Sequence, residues 1–179
     1  MLGYRNASIL VADRGVVGQR ETSSLGFIRL VESVKGNIST LATTARIASA
    51  IALSGEGIKT TPLMSLAMSS REEVRKEEVN KLVSAIELAR SQYLLTLGSW
   101  FRDTLPKELD EIILCGGTAY YLKESLEKHF QGSHLIWDGD MELPSSLQDE
   151  ELGRRMCDAY GMYQYFKSRI SQSLKVAHV

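Results

Sequence analysis

The segment Ile112-Ile113-Leu114-Cys115-Gly116-Gly117-Thr118 constrains the fold more than any other stretch of this chain. Four apolar residues in a row, preceded by Asp110-Glu111 and followed by two glycines, describe a short buried central strand. Ala119 to Phe130 then carries Tyr121, Leu122, Leu126 and Phe130 at helical spacing. Such a strand needs neighbours in a sheet and helices over it. The glycines let another group approach the backbone, because no Cβ stands in the way. The helix start adds N–H donors and the positive end of a dipole. Neither the Gly-x-Gly-x-x-Gly fingerprint nor the P-loop pattern is present, so the turn reads as a ligand platform or as a plain strand-to-helix turn.

The rest of the chain supplies the partners. Ala7 to Ala12 is apolar and partly β-branched, Asp13-Arg14-Gly15 is a turn signal, and Val16 to Thr22 returns, which predicts a hairpin. Ser23 or Ser24 is placed to cap a helix with Phe27, Leu30, Val31 and Val34 on its inner face, ending near Gly36. A second helix is expected from Ser39 to Leu53, with Leu41, Ala45, Ala48, Ile51 and Ala52 near one face and Gly55 and Gly57 closing it. Ile58 to Ser70 reads as a loop or short strand. Ser70-Arg71-Glu72-Glu73 matches a capping box and opens a long helix whose inner face runs through Val74, Val79, Leu82, Ile86, Ala89, Tyr93 and Leu97. Pro106 marks its end. His134 to Trp137 reads as a strand, Asp138 to Asp149 as turns, and Glu150 to Ser168 as a last helix. The expected fold is α/β: a mixed sheet with an N-terminal β-hairpin, covered by helices, in one domain over residues 1–179 with residues 37–105 as a helical subdomain.

Composition narrows the function. The chain has 179 residues, 44% hydrophobic and 24% charged, as an ordinary globular protein does. Lys and Arg number 21 against 22 Asp and Glu, so it has no general attraction for nucleic acid or anionic lipid. Cys115 and Cys157 lie far apart and His129, His134 and His178 do not cluster, which leaves no zinc pattern and suits reduced thiols in the cytoplasm. The stretch Leu41 to Leu53 is interrupted by Arg46 and is too short to span a bilayer. Asp138, Asp140 and Glu142 lack the spacing of a calcium loop and read as a solvated acidic turn. No nucleophile elbow occurs, and no residue is assigned a catalytic or metal-binding role. Tyr160, Tyr163, Tyr165 and Phe166 are expected to pack the last helix onto the sheet, the alternative being an interface.

Gly3-Tyr4-Arg5-Asn6 before the hairpin is a second candidate for holding phosphate, with an unstructured chain end as its alternative. Taken with Ile112 to Ala119, it resembles the second half of an actin-like ATPase, nearest to the ParM/StbA type of bacterial plasmid-segregation proteins. That superfamily, with actin, the seventy-kilodalton heat-shock chaperones and sugar kinases, opens its second domain with Asp-x-Gly-x-x-Thr. Met1 falls at the Asp, Gly3 at the Gly and Asn6 at the Thr. Leu114 to Thr118 matches the adenosine motif, and Tyr160-Gly161-Met162-Tyr163 resembles the closing helix.

The resemblance implies the second-domain, ribonuclease H-like fold and ATP with Mg²⁺ as ligands. Gly116, Gly117 and Thr118 would lie against adenosine, Gly3, Tyr4, Arg5 and Asn6 against the phosphates, and Glu32 and Lys35 near the base or ribose. It implies filament assembly in plasmid or chromosome partition. The partners would be further copies or a first actin-like domain, with a DNA-bound adaptor but no direct nucleic-acid or membrane contact. The first phosphate loop and catalytic carboxylate belong to that other domain, so this chain alone is not expected to hydrolyse ATP. Two other readings stand beside this one. The first is a non-enzymatic scaffold or dimerisation module with a degenerate nucleotide site; the second is an unrelated α/β domain that uses the Gly-Gly turn for packing.

Overall fold

The computed structural model describes residues 1–145 and 159–167. Strands β1 (Ala7–Asp13) and β2 (Val16–Ser23) form the expected antiparallel hairpin. Arg14 and Gly15 both take positive φ at its tip, where the tight turn requires it. Ala7 and Ile9 of β1 point into the core, while nearly all of β2 faces solvent. Gln19 Nε2 fastens the hairpin to the Thr104 carbonyl at 3.0 Å.

Helix α1 (Phe27–Gly36) buries Phe27, Leu30, Val31 and Val34, the face that its spacing predicts. Its N-cap is Gly26 rather than Ser23 or Ser24, and no side chain caps it. Backbone carbonyls of a distant loop do that work, as the next section shows. Helix α2 (Thr44–Ser54) begins later than Ser39, where the Thr43 side chain accepts from Arg46 N–H. Its buried face is Ile47, Ala48, Ala50, Ile51 and Ser54. Of the expected face, Ala48 and Ile51 are buried, while Leu41, Ala45 and Ala52 are exposed, Leu41 because it lies before the helix and the alanines because Ile47 and Ile51 set the inward face. The segment Ile58 to Ser70, expected as a loop or short strand, contains a short helix, α3 (Thr60–Leu63), followed by turn and loop.

Helix α4 (Glu72–Thr104) has 33 residues, which at 1.5 Å per residue makes it about 50 Å long. Val79, Leu82, Ala85, Ile86, Ala89, Tyr93, Leu97 and Phe101 form its buried face. Val74, expected on the inner face, is exposed. The Ser70–Glu73 capping box does not form: Arg71 is the N-cap, with no side-chain cap. Glu78 holds the preceding turn instead, accepting from the amides of Met68 at 2.8 Å and Ser69 at 3.1 Å.

Strand β3 (Ile112–Leu114) leads through Gly116 into α5 (Gly117–Tyr121) and α6 (Lys123–His129), so the expected helix is broken at Leu122. Strand β4 (Leu135–Trp137) returns parallel to β3, with Ile113 opposite Ile136. The result is a compact β-α-β unit, docked on the end of α4 through Phe101 against Phe130 and His129. The expectation of one mixed sheet fails among the described residues, where β1–β2 and β3–β4 are separate pairs. Leu2 alone lies between them, bridged to Ala7 on one side and hydrogen-bonded to Cys115 on the other. A single residue is too short to count as a strand, so the sheet is interrupted where it would otherwise be continuous. Strand β3 is not central either: Leu114 is buried but Ile113 is 52% exposed, since β3 is covered on one face only.

Residues 159–167 form a helix; 150–158 and 168 of the expected last helix lie outside the described residues. Tyr160 stacks on Tyr163, and Tyr165 meets Phe166 edge-on. Tyr163, Tyr165 and Phe166 are each more than half exposed, so these rings contact one another rather than packing onto the sheet. No helix among the described residues is long and apolar enough to cross a membrane.

Candidate functional site

The two glycine motifs, far apart in sequence, meet at one backbone seam. Leu2 N–H donates to the Cys115 carbonyl at 2.8 Å, and Thr118 N–H returns a bond to the Leu2 carbonyl at 3.2 Å. The Thr118 hydroxyl, which is buried, donates to the Gly3 carbonyl at 2.9 Å across 115 positions of sequence. Gly3 N–H closes the tight turn onto the Asn6 carbonyl at 2.9 Å.

The same turn caps α1. Phe27 N–H donates to the Gly3 carbonyl and Ile28 N–H to the Tyr4 carbonyl, at 3.1 and 2.9 Å. These satisfy two of the donors that a helix start leaves without partners. The arrangement requires Gly26, because a Cβ there would lie 2.1 Å from the Arg5 carbonyl carbon and 2.5 Å from the Tyr4 oxygen. Gly116 is constrained twice over: its φ is +98°, and a Cβ would lie 2.4 Å from the Leu2 oxygen. Its missing side chain admits the protein's own backbone.

The carbonyls of Gly3 and Tyr4 therefore face inward, and the opposite side of the turn, with Tyr4, Arg5 and Asn6, faces solvent. Gly117 at the start of α5 is also exposed. Behind it, Tyr120 packs on Trp137 with ring centres 5.2 Å apart, and its hydroxyl bonds the Asp138 carboxylate. The candidate residues thus divide. Gly3, Gly116 and Thr118 build the seam. Tyr4, Arg5, Asn6 and Gly117 form its accessible rim. Glu32 and Lys35 stand on the exposed face of α1, about 8 and 12 Å along the helix axis from Phe27. Lys35 donates to the Thr44 hydroxyl at 3.0 Å, which links α1 to α2.

Two features of this region escape a reading of the sequence. Gly26 carries no motif, although a glycine between Leu25 and Phe27 at a helix start is a recognisable sign of close backbone approach. Tyr93 on α4 donates its hydroxyl to the Leu25 carbonyl at 2.8 Å, steadying the segment before Gly26. Burial pushes the Tyr93 phenol well above its ordinary range. The Tyr121 phenol is also raised by burial, and the Arg90 guanidinium beside it partly opposes the rise.

An anion would find at the rim a guanidinium and a carboxamide, while the amides of Thr118 and Ala119 at the start of α5 are already bonded to the carbonyls of Leu2 and Gly116. Among the described residues no three His, Cys, Asp or Glu side chains gather to hold a metal ion. The described residues thus offer no Mg²⁺ cage, and a metal at this rim would depend on ligand oxygens and water. No protein-family model and no curated protein matches this chain.

Proposed function

We propose that this chain is the nucleotide-binding half of an actin-like ATPase of the ParM/StbA type, serving filament assembly and DNA partition without hydrolysing ATP by itself. The observation that supports this reading is the meeting of the Gly3–Asn6 turn with the Gly116–Thr118 turn at one seam. Neither motif carries much weight alone. Their joining across 115 positions gives one accessible rim with donors for phosphate on one side and an open glycine on the other. Arg5 and Asn6 would take the phosphates, and Gly117 would admit the nucleoside. Thr118 and Gly116 would position these groups rather than touch the ligand, being buried. Mg²⁺ would arrive with the nucleotide, held by phosphates and water.

Titration calorimetry with Mg·ATP, carried to millimolar concentration, tests the proposal. Binding is expected, and it should weaken at least tenfold in Arg5→Ala and in Gly117→Val, whose side chains lie on the rim. Gly116→Val is unsuitable, because it would disrupt the seam itself. The packing reading is favoured by one observation, the 2.4 Å between a Gly116 Cβ and the Leu2 oxygen. Absence of heat and of chemical-shift change, or binding that ignores both rim variants, would leave that reading standing and overturn the nucleotide site.

A further inference from the structure

One residue ties the helices from Thr44 to Thr104 to the β-α-β unit from both of its ends. The Glu56 carboxylate accepts from the amides of Glu124 at 2.8 Å and Ser125 at 3.0 Å, and from the Ser125 hydroxyl. Its own backbone carbonyl accepts from the Arg90 guanidinium on α4. Helix α6 has Leu122 at its N-cap and no side-chain cap of its own. A carboxylate from 68 positions away thus satisfies its first donors. The loop that delivers Glu56 is strained. Gly55 takes a φ of +67° at no steric cost, but Ile58 has a φ of +50°, and a β-branched residue in the left-handed region raises the energy of the fold. A strained loop held by a few charge-assisted bonds to other elements has the physical make-up of a two-state element.

We propose that Glu56 is a latch: bonded, it fixes the start of α6, and with it α5 and the Gly116–Thr118 turn, against the helical layer, and released, it lets the loop relax and the start of α6 loosen while Phe101 keeps its packing on Phe130. A continuous run of contacts leads from the latch to the seam. Helix α6 joins α5 through buried Leu122, the Tyr121 ring meets Phe27 edge-on at 5.0 Å, and Phe27 N–H is bonded to Gly3. The latch depends on the fold and not on which ligand the rim holds.

Amide hydrogen exchange on the full chain, followed by NMR without ligand, reads the latch directly. Glu56→Ala is expected to speed exchange at Glu124 and Ser125 by roughly tenfold, while amides from Ile86 to Leu97 in α4 stay within about twofold of the parent. Arg90→Met touches neither amide, yet it is expected to speed both by roughly threefold because the loop moves as one piece, while Tyr121→Phe, which removes only the hydroxyl beside Arg90, stays at parental rates. Glu56→Gln, which keeps an acceptor but loses the charge, should fall between Glu56→Ala and the parent. It carries the test if Glu56→Ala does not fold. A common acceleration of every protected amide, or parental rates at Glu124 and Ser125 in Arg90→Met, would make Glu56 a fixed cap and overturn the latch.

Discussion

The seam around Leu2, Gly3, Gly26 and Gly116 and the helical layer from Thr44 to Thr104 are both well buried, but different forces hold them. The seam is backbone against backbone, with hydrogen bonds between 2.8 and 3.2 Å and two glycines whose Cβ positions are already occupied by other main-chain atoms. The helical layer is side chain against side chain, with Ile47, Ile51, Leu63, Ile86 and Leu97 filling its interior. Side chains can shift to absorb a change in volume, whereas a carbonyl fixed by its own hydrogen bond cannot. The seam should therefore respond to substitution all at once, and the helical layer by degrees.

Gly116→Val should show the largest effect, a loss of about 4 kcal/mol or more in urea unfolding, since it combines a positive φ with a clash against Leu2. Gly26→Ala follows at about 3 kcal/mol, although alanine is otherwise well suited to a helix start with φ of −87°. Tyr93→Phe, which touches both regions, should cost about 1.5 kcal/mol at neutral pH by leaving the Leu25 carbonyl without its donor. It should also change the pH profile. Burial keeps Tyr93 protonated in the folded chain, while the unfolded chain ionises near the ordinary phenol value of about 10. Stability is thus fully present below about pH 10 and falls as pH rises beyond it. In Tyr93→Phe that alkaline decline should be shallower, with Tyr121 contributing the same sign in both proteins.

In the helical layer, Ile86→Val should cost only about 1 kcal/mol in the same assay. Equal losses in Gly26→Ala and Ile86→Val would break the distinction between the two regions. At the end of α1, Gly36 has nothing within 4 Å of a built Cβ and no positive φ. Gly36→Ala should therefore gain about 0.5 kcal/mol, a small rise in melting temperature. A loss there instead would show that α1 is constrained along its whole length and not only where it meets the seam.

Much of this was legible in the sequence where local signals were strong. The hairpin around Asp13-Arg14-Gly15 and the inner face of α1 follow from turn chemistry and from apolar spacing. The buried face of α2 followed only at Ala48 and Ile51, because a helix rich in alanine has little contrast in side-chain size to set its phase. The Ser70 capping box did not form, and the turn before α4 is held instead by Glu78 on the amides of Met68 and Ser69 and by the Ser69 hydroxyl on the amide of Arg71. Within the site, Gly3 and Gly116 could be singled out as glycines in recognisable surroundings. Their burial, and the consequent shift of contact to the rim at Arg5 and Gly117, could not, because it depends on Leu2 threading between two strand pairs. Glu56 left no local trace: its partners on α6 stand 68 and 69 positions away.

The threading of Leu2 also sets the order in which the molecule can assemble. The two hairpin strands and the α1–α2–α3 contacts join near neighbours in sequence and such contacts form early, whereas Gln19 meets Thr104 and Tyr93 meets Leu25 across 85 and 68 positions. The seam is a long-range closure, and its entropic cost grows only slowly with loop length but must be met before the bonds of Leu2 and Gly3 return anything. During synthesis, α1 emerges with its first donors and the Gly3 turn in place but without Thr118 to fix that turn. The rim can take its final shape only after residue 118 has left the ribosome, so a ligand of the rim must wait for that residue before its site is complete.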